Sequence, residues 1–97
     1  MRILVVEDDV RIADPVAAAL RDRHHTVDIA LKGEVGLELC DTFEYDIVVL
    51  DLTLPGLGGI DVCRALRKRG SRSMVLMMTA RDSVRDKVRA LDEGADD

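Results

Sequence analysis

Residues 47–59 read IVVLDLTLPGLGG and combine a strand signal with a tightly turned loop. The first four residues are apolar and mostly β-branched, which is typical of a strand that is buried on both faces of a parallel sheet. Asp51 ends this run, where a charge is costly to bury without a partner. The loop that follows contains Pro55 and three glycines. The stretch therefore predicts a buried strand that ends in one carboxylate and is followed by a loop of defined backbone conformation.

Three further apolar runs have the same character, at residues 3–6 (ILVV), 27–30 (VDIA) and 74–78 (MVLMM). The segments between the runs, and the segment after the last one, have apolar residues at helical spacing. The expected buried faces are Ile12, Val16, Ala19 and Leu20, then Val35, Leu39 and Phe43, then Val62, Ala65 and Leu66, then Val84, Val88 and Leu91. This alternation predicts one parallel α/β domain over residues 1–97.

Most helix ends have recognisable signals. Asp9 is expected to cap the first helix, and either Asp82 or Ser83 the fourth. Gly70 and Gly94 follow the third and fourth helices, at the usual stop position.

Two features fit the first helix poorly. Pro15 lies inside it and removes a hydrogen bond to Arg11, so we expect a kink or a shorter helix. His24 and His25 stand where a glycine would more naturally end the helix, and we expect both to be exposed at its terminus rather than to bind a metal.

The composition of the chain argues against two classes of protein, those that bind nucleic acid and those that span a membrane. The 14 basic and 19 acidic residues give a net charge of −5, which argues against a nucleic-acid surface on this domain. No apolar run approaches the roughly 20 residues that a membrane span needs, and no signal peptide is visible. Cys40 and Cys63 lack metal-type spacing, so we expect two reduced thiols and a cytoplasmic location.

The residues that follow the strands carry the chemistry, because ligands of open parallel sheets bind at the carboxyl ends of the strands. Residues 7–9 (EDD) follow the first strand, Asp51 follows the third, and Thr79 with Ala80 follows the fourth. If the first and third strands are neighbours, Glu7, Asp8 and Asp51 share one pocket. Such carboxylates repel one another unless a cation lies among them, and hard oxygen ligands suit Mg²⁺. The alternative is that these acids are helix caps and loop charges, which fits Asp9 best.

A carboxylate held beside Mg²⁺ can attack phosphorus and form an aspartyl phosphate. Asp51 is the candidate nucleophile. Thr79 could offer its hydroxyl to a phosphoryl oxygen, although a turn or a helix cap would also explain a threonine there.

The chain resembles the response regulator receiver domains of two-component signalling, most closely the OmpR/PhoB subfamily. Four blocks carry the resemblance over the whole chain, namely residues 3–9 (ILVVEDD), 47–59 (IVVLDLTLPGLGG), 77–82 (MMTARD) and 90–97 (ALDEGADD). The resemblance implies a flavodoxin-like fold with strand order 2-1-3-4-5. It also implies phosphorylation by a sensor histidine kinase, and a DNA-binding output domain that lies outside these residues.

The resemblance further implies roles for particular residues. Asp51 would be the phosphoacceptor, and Glu7 and Asp8 the acidic pocket. Mg²⁺ would be held by Asp8, Asp51 and the backbone carbonyl of Thr53, with Glu7 acting through water. Thr79 and Ala80 would form the switch, and Pro55 and Gly59 would shape the loop. Such a domain assists its own phosphorylation and dephosphorylation but is not otherwise an enzyme.

One departure from the family pattern concerns residues beyond Asp97. The family continues into a fifth strand, which ends in a Lys-Pro pair that serves the phosphoryl group, and then into a fifth helix. Lys68 and Lys87 lie on predicted helices and cannot take the role of that lysine. We therefore expect an incomplete receiver domain, with the fifth strand and helix absent from this chain.

Two other functions remain open. A phosphatase of the haloacid-dehalogenase type also uses an aspartyl nucleophile after a parallel strand, but it needs a second Asp two residues later, where this chain has Thr53. A phosphorylation-independent interaction module is the second alternative. Whichever function applies, the apolar fourth strand would be left as a sheet edge, so we expect the chain either to self-associate through this edge or to be partly molten.

Overall fold

The computed structural model describes residues 1–78. The elements in chain order are β1 (Arg2–Val6), α1 (Val10–Asp22), β2 (Thr26–Ala30), α2 (Gly33–Thr42), β3 (Ile47–Asp51), α3 (Gly59–Lys68) and β4 (Met74–Met78). The predicted fourth helix, its caps at Asp82 or Ser83 and at Gly94, and the candidate switch residues Thr79 and Ala80 lie outside the described residues.

The strands of this part of the chain form one parallel sheet in the order β2-β1-β3-β4. This confirms the predicted flavodoxin-like α/β fold. β1 lies beside β3 with Val6 opposite Leu50, so the two strands end at the same edge of the sheet. Asp51 is itself the last residue of β3 and pairs with Met78 of β4.

The sheet is apolar on both faces, as the unbroken apolar runs predict. Leu4, Val6, Val48 and Leu50 pack with α2 and α3 on one side. On the other side, Ile3, Val5, Val27 and Val49 pack against Ala13 and Ala17 of α1. The central strands β1 and β3 are therefore covered on both sides, while the edge strand β2 carries Asp28, which binds Arg2 and the Tyr45 hydroxyl.

The predicted face of α1 is right in part: Val16 and Leu20 pack half-buried against the core, but Ile12 and Ala19 do not. Ala13 and Ala17 are buried, whereas Ile12 is 45% exposed and Ala19 is exposed. Alanines let the helix approach the sheet closely, so packing selects the small side chains and leaves the larger Ile12 at the rim.

The predicted face of α2 is also right only in part, because Leu39 packs half-buried against the core but the other two residues do not. Gly33, Gly36 and Leu37 are buried, while Val35 and Phe43 are exposed. A Cβ on Gly36 would lie 3.0 Å from a methyl carbon of Val6. A pattern search that counts large apolar residues cannot find a face built from glycines.

α1 has two irregular features, namely Pro15 inside the helix and a pair of histidines at its end. Asp9 caps the helix, as predicted, and Pro15 does not shorten it, because α1 runs on to Asp22. His24 adopts a φ of 68° and donates its N–H to the Arg21 carbonyl, while the His25 N–H reaches the Leu20 carbonyl. These bonds form a Schellman-type cap in which histidine takes the place of glycine.

Cys40 and Cys63 form no disulfide within the described residues; Cys63 is buried and Cys40 half-buried. Among residues 1–78, no helix is long and apolar enough to cross a membrane.

Candidate functional site

Three carboxylates meet at the carboxyl edge of the sheet. Glu7 and Asp8 directly follow β1, and Asp51 ends the neighbouring strand β3. Each offers one oxygen, and these oxygens lie within 4.8 Å of one another. Glu7 is 4% and Asp51 8% exposed, whereas Asp8 is exposed. The cluster supplies hard oxygen ligands at a spacing that a divalent cation can bridge.

The raised pKa of the buried Glu7 carboxyl shows that its ionised form is disfavoured in this cluster. Burial raises the pKa of Glu7 to about 7, and the nearby charge of Asp51 acts in the same direction. The Asp9 N–H opposes this shift by donating to Glu7 Oε1 at 3.0 Å. A cation among the three acids would favour the ionised form of Glu7, so the residues present fit a metal site.

Thr53 orients the Asp51 carboxylate. Its backbone N–H and its side-chain hydroxyl both donate to Asp51 Oδ1, each at 3.0 Å. The predicted metal-binding role of Thr53 involves its backbone carbonyl, and this hydroxyl bond was not predicted. The signal was present, because an Asp whose side chain accepts from the N–H two residues later is a common turn arrangement.

Asp9 takes the capping role that the sequence left open for it. Its Oδ1 accepts from the Arg11 N–H at 2.9 Å, and the Arg11 guanidinium donates to Oδ1 and Oδ2 at 3.0 and 2.9 Å. These bonds hold the pKa of the Asp9 carboxyl below its ordinary value. Asp9 lines the cleft, but it is not one of the three clustered acids.

The loop after Asp51 is shaped by its glycines and by one buried side chain. Gly59 begins α3 directly against the backbone of Asp51, and a Cβ on Gly59 would overlap the Asp51 carbonyl oxygen. Gly56 has a φ of 70°, which favours glycine, and Pro55 is exposed beside it. Leu54 is buried and anchors the loop to the core.

The three acids open onto a cleft of about 460 Å³, lined by Glu7, Asp8, Asp9, Ile12, Asp51, Thr53 and Met78. The Met78 carbonyl accepts the Leu52 N–H at 2.9 Å, so the end of β4 is tied to the loop that follows β3. Thr79 and Ala80, which directly follow Met78 in sequence, lie outside the described residues.

A larger cavity, of about 670 Å³, lies at the opposite edge of the sheet, where β3 and β4 begin. Some of the residues that line it are bonded to each other: Arg69 binds Asp41 at 2.7 Å, and the Ser73 hydroxyl donates to the Tyr45 carbonyl. Within residues 1–78, the acidic group that could hold a metal is the one at the carboxyl edge. The smaller cleft is therefore the better candidate site.

The comparisons with known proteins agree with this geometry. The family model for the response regulator receiver domain matches residues 3–97. The chain belongs to the response regulator receiver domain family. This confirms the resemblance inferred from the four sequence blocks.

The curated relatives of this receiver domain are named as transcriptional regulatory proteins. CutR of Streptomyces coelicolor is 46% identical over 97 residues, TcrA of Mycobacterium tuberculosis 45% and QseB of Escherichia coli O157:H7 44%. The match covers all of this chain but only 45%, 38% and 44% of those proteins. The chain thus spans less than half the length of these relatives, whose names agree with the OmpR/PhoB assignment.

Solved structures show the same fold. A Francisella response regulator receiver domain superposes with a TM-score of 0.93 at 32% identity, covering 99% of this chain and 79% of that one. The BeF3-activated receiver domain of Klebsiella pneumoniae RstA superposes with a TM-score of 0.92 at 30% identity, covering 98% and 80%. A Burkholderia pseudomallei response regulator, with a phosphorylated aspartic acid and a calcium ion, has a TM-score of 0.92 at 25% identity, covering 98% and 56%.

Proposed function

We propose that this domain is a phosphorylation-controlled switch whose phosphoacceptor is Asp51. The observation that carries the proposal is the position of Asp51, which lies at the end of β3 and within reach of Glu7 and Asp8. A buried carboxylate in an acidic cluster is poorly placed for a purely structural role, because its neighbours raise the cost of its charge. That position suits a group whose partner is a cation or a phosphoryl group.

The proposed cofactor is Mg²⁺, which would be held by Asp8, Asp51 and the backbone carbonyl of Thr53, with Glu7 contributing through water. Bound there, Mg²⁺ would neutralise the acids and the phosphoryl oxygens. The exposure of Asp8 leaves that carboxylate accessible from solvent. Affinity is expected to be modest, since Mg²⁺ bound by one or two carboxylates keeps several waters.

In the proposed reaction, an ionised oxygen of Asp51 attacks the phosphorus of a phosphohistidine on a sensor histidine kinase. The new O–P bond forms as the N–P bond breaks, and the departing imidazole takes up a proton. Thr53 holds the Asp51 carboxylate in one orientation through two hydrogen bonds, which limits the rotation of the nucleophile. The domain assists this transfer but turns over no substrate of its own, so we do not regard it as a conventional enzyme.

The wider signalling role rests on the relatives. We propose that the domain acts in the cytoplasm and passes its phosphorylation state to an output domain that binds DNA, since the relatives named above are transcriptional regulatory proteins. Thr79 and Ala80 remain the predicted switch residues. Thr79→Ala is expected to leave phosphoryl uptake intact and to weaken the downstream response.

A Mg²⁺ titration followed by backbone chemical shifts tests the proposed site. We expect Glu7, Asp8, Asp51 and Thr53 to shift together and to saturate, while residues at the opposite edge, such as Arg69 and Ser73, stay unchanged. Identical spectra with and without Mg²⁺ in a folded sample would contradict the proposal.

A phosphorylation-independent interaction module is the second candidate function. Within residues 1–78, β4 has a paired strand on one side only, and Met74 at its start is 50% exposed. An apolar edge of this kind is a template for pairing with another chain. If this edge mediates self-association of the 97-residue chain, sedimentation will show an oligomer that Met74→Lys disperses. A monomer at all concentrations would exclude self-association through this edge.

A further inference from the structure

The first turn of α2 holds the loop that follows the phosphoacceptor. Glu34 Oε1 accepts the backbone N–H of Leu57 at 3.3 Å. At the carbonyl of the same residue, Gly33 packs so closely that a Cβ there would lie 2.6 Å from the Leu57 oxygen. Two adjacent residues of α2 thus contact the N–H and the C=O of one loop residue.

This contact lies between two anchors that already tie the loop to Asp51. Thr53 is bound to the Asp51 carboxylate, and Gly59 is packed against the Asp51 carbonyl. Between those anchors are the exposed Pro55 and Gly56, and Gly56 has a positive φ. The α2 contact at Leu57 is therefore the polar tie nearest to the exposed tip of the loop.

We propose that Glu34 is a positioning residue for the Asp51 site: its carboxylate fixes the loop through Leu57 and so holds Thr53 in place beside the metal. The inference rests on the proposed Mg²⁺ site. Glu34 itself is exposed and does not belong to the acidic cluster. Its effect on the site passes through the backbone of the loop rather than through contact with the ion.

Three variants separate this role from its alternatives. Glu34→Ala removes the acceptor of the Leu57 N–H. Glu34→Gln keeps an acceptor oxygen but removes the charge, so it distinguishes the hydrogen bond from a long-range electrostatic effect. Glu38→Ala removes an exposed carboxylate one turn further along α2 and serves as the matched control.

Hydrogen exchange of the Leu57 amide, measured without metal, tests the contact itself. We expect exchange to be roughly threefold to tenfold faster in Glu34→Ala, as fits the loss of one exposed hydrogen bond, and close to wild type in Glu34→Gln and Glu38→Ala. An unchanged Leu57 rate in Glu34→Ala would overturn the proposal.

A Mg²⁺ titration of the same proteins tests the coupling to the site. Glu34→Ala should bind Mg²⁺ roughly threefold or more weakly than wild type, and Glu34→Gln should recover most of the affinity. If Gln weakens binding as much as Ala does, charge rather than positioning is responsible and the proposal fails. Faster Leu57 exchange with unchanged Mg²⁺ affinity would also overturn it. If the wild-type chain bound no Mg²⁺, the proposed function would fail. The proposed coupling between Glu34 and the metal site would then fail too, even if hydrogen exchange had verified the Leu57 contact.

Discussion

The Glu7 and Asp51 side chains are buried side by side at the ends of the adjacent strands β1 and β3, and the charge of Asp51 helps to raise the pKa of Glu7 to about 7. The arrangement is expected to cost folding stability at neutral pH, and a cation among the acids would offset that cost.

The first prediction is a pH-dependent stability that depends on Glu7. Its pKa is about 7 in the folded chain and close to 4.5 when unfolded, so the folded state binds more protons between these values. Stability should therefore fall as pH rises from about 4.5 to 7, by about 2–3 kcal/mol. Urea unfolding in EDTA will measure this slope, which should flatten in Glu7→Gln and persist in the exposed control Glu44→Gln. If the pH dependence of stability persisted in Glu7→Gln, another titratable group would be responsible for it.

The second prediction concerns Asp8, the exposed member of the cluster. Asp8→Asn should weaken Mg²⁺ binding at least roughly tenfold, because it removes one anionic ligand. The same change relieves repulsion, so the urea midpoint without metal should stay equal or rise. Calorimetric titration and urea unfolding give the two values, with Asp14→Asn on the exposed side of α1 as the control. Equal Mg²⁺ affinity in wild type and Asp8→Asn would exclude Asp8 as a ligand.

The third prediction concerns the glycines that begin α3. Gly59→Ala should destabilise the domain by about 1–3 kcal/mol, because a Cβ there overlaps the Asp51 carbonyl. Gly58→Ser is the matched control: Gly58 is the N-cap of α3, and a Cβ there makes only ordinary contact, with Asp61 Oδ2 at 3.7 Å. Serine at an N-cap should leave stability within about 0.5 kcal/mol of wild type or raise it. Equal urea midpoints for the two variants would refute the close packing of Gly59 on Asp51.

The sequence predicts the sheet more accurately than it predicts the helix faces. The strands are mostly continuous apolar runs, as burial on both faces demands, so their positions follow from simple patterns, whereas their order was implied by the family resemblance. The faces of α1 and α2 depend on how closely each helix approaches the sheet. That distance is set by Ala13, Ala17 and Gly36, which carry little hydrophobic signal in a sequence.

Part of the candidate site could be predicted from the sequence, and part of it could not. Glu7, Asp8 and Asp51 could be grouped from the sequence, because parallel neighbouring strands end at one edge. The bond between Glu34 and Leu57 joins residues 23 positions apart and depends on the path of the loop, so no local pattern predicts it. The Thr53 hydroxyl bond is local, and the sequence could have suggested it.

The most direct test of the central claim is the intact mass of the chain after incubation with a small phosphodonor and Mg²⁺. We predict that wild type gains one phosphoryl group, that Asp51→Asn gains none, and that the exposed control Asp61→Asn gains one as wild type does. Asn keeps the shape of the side chain but lacks the nucleophilic carboxylate oxygen. A stable phosphoryl group on the folded Asp51→Asn chain, at the level of wild type, would contradict the assignment of Asp51 as the phosphoacceptor.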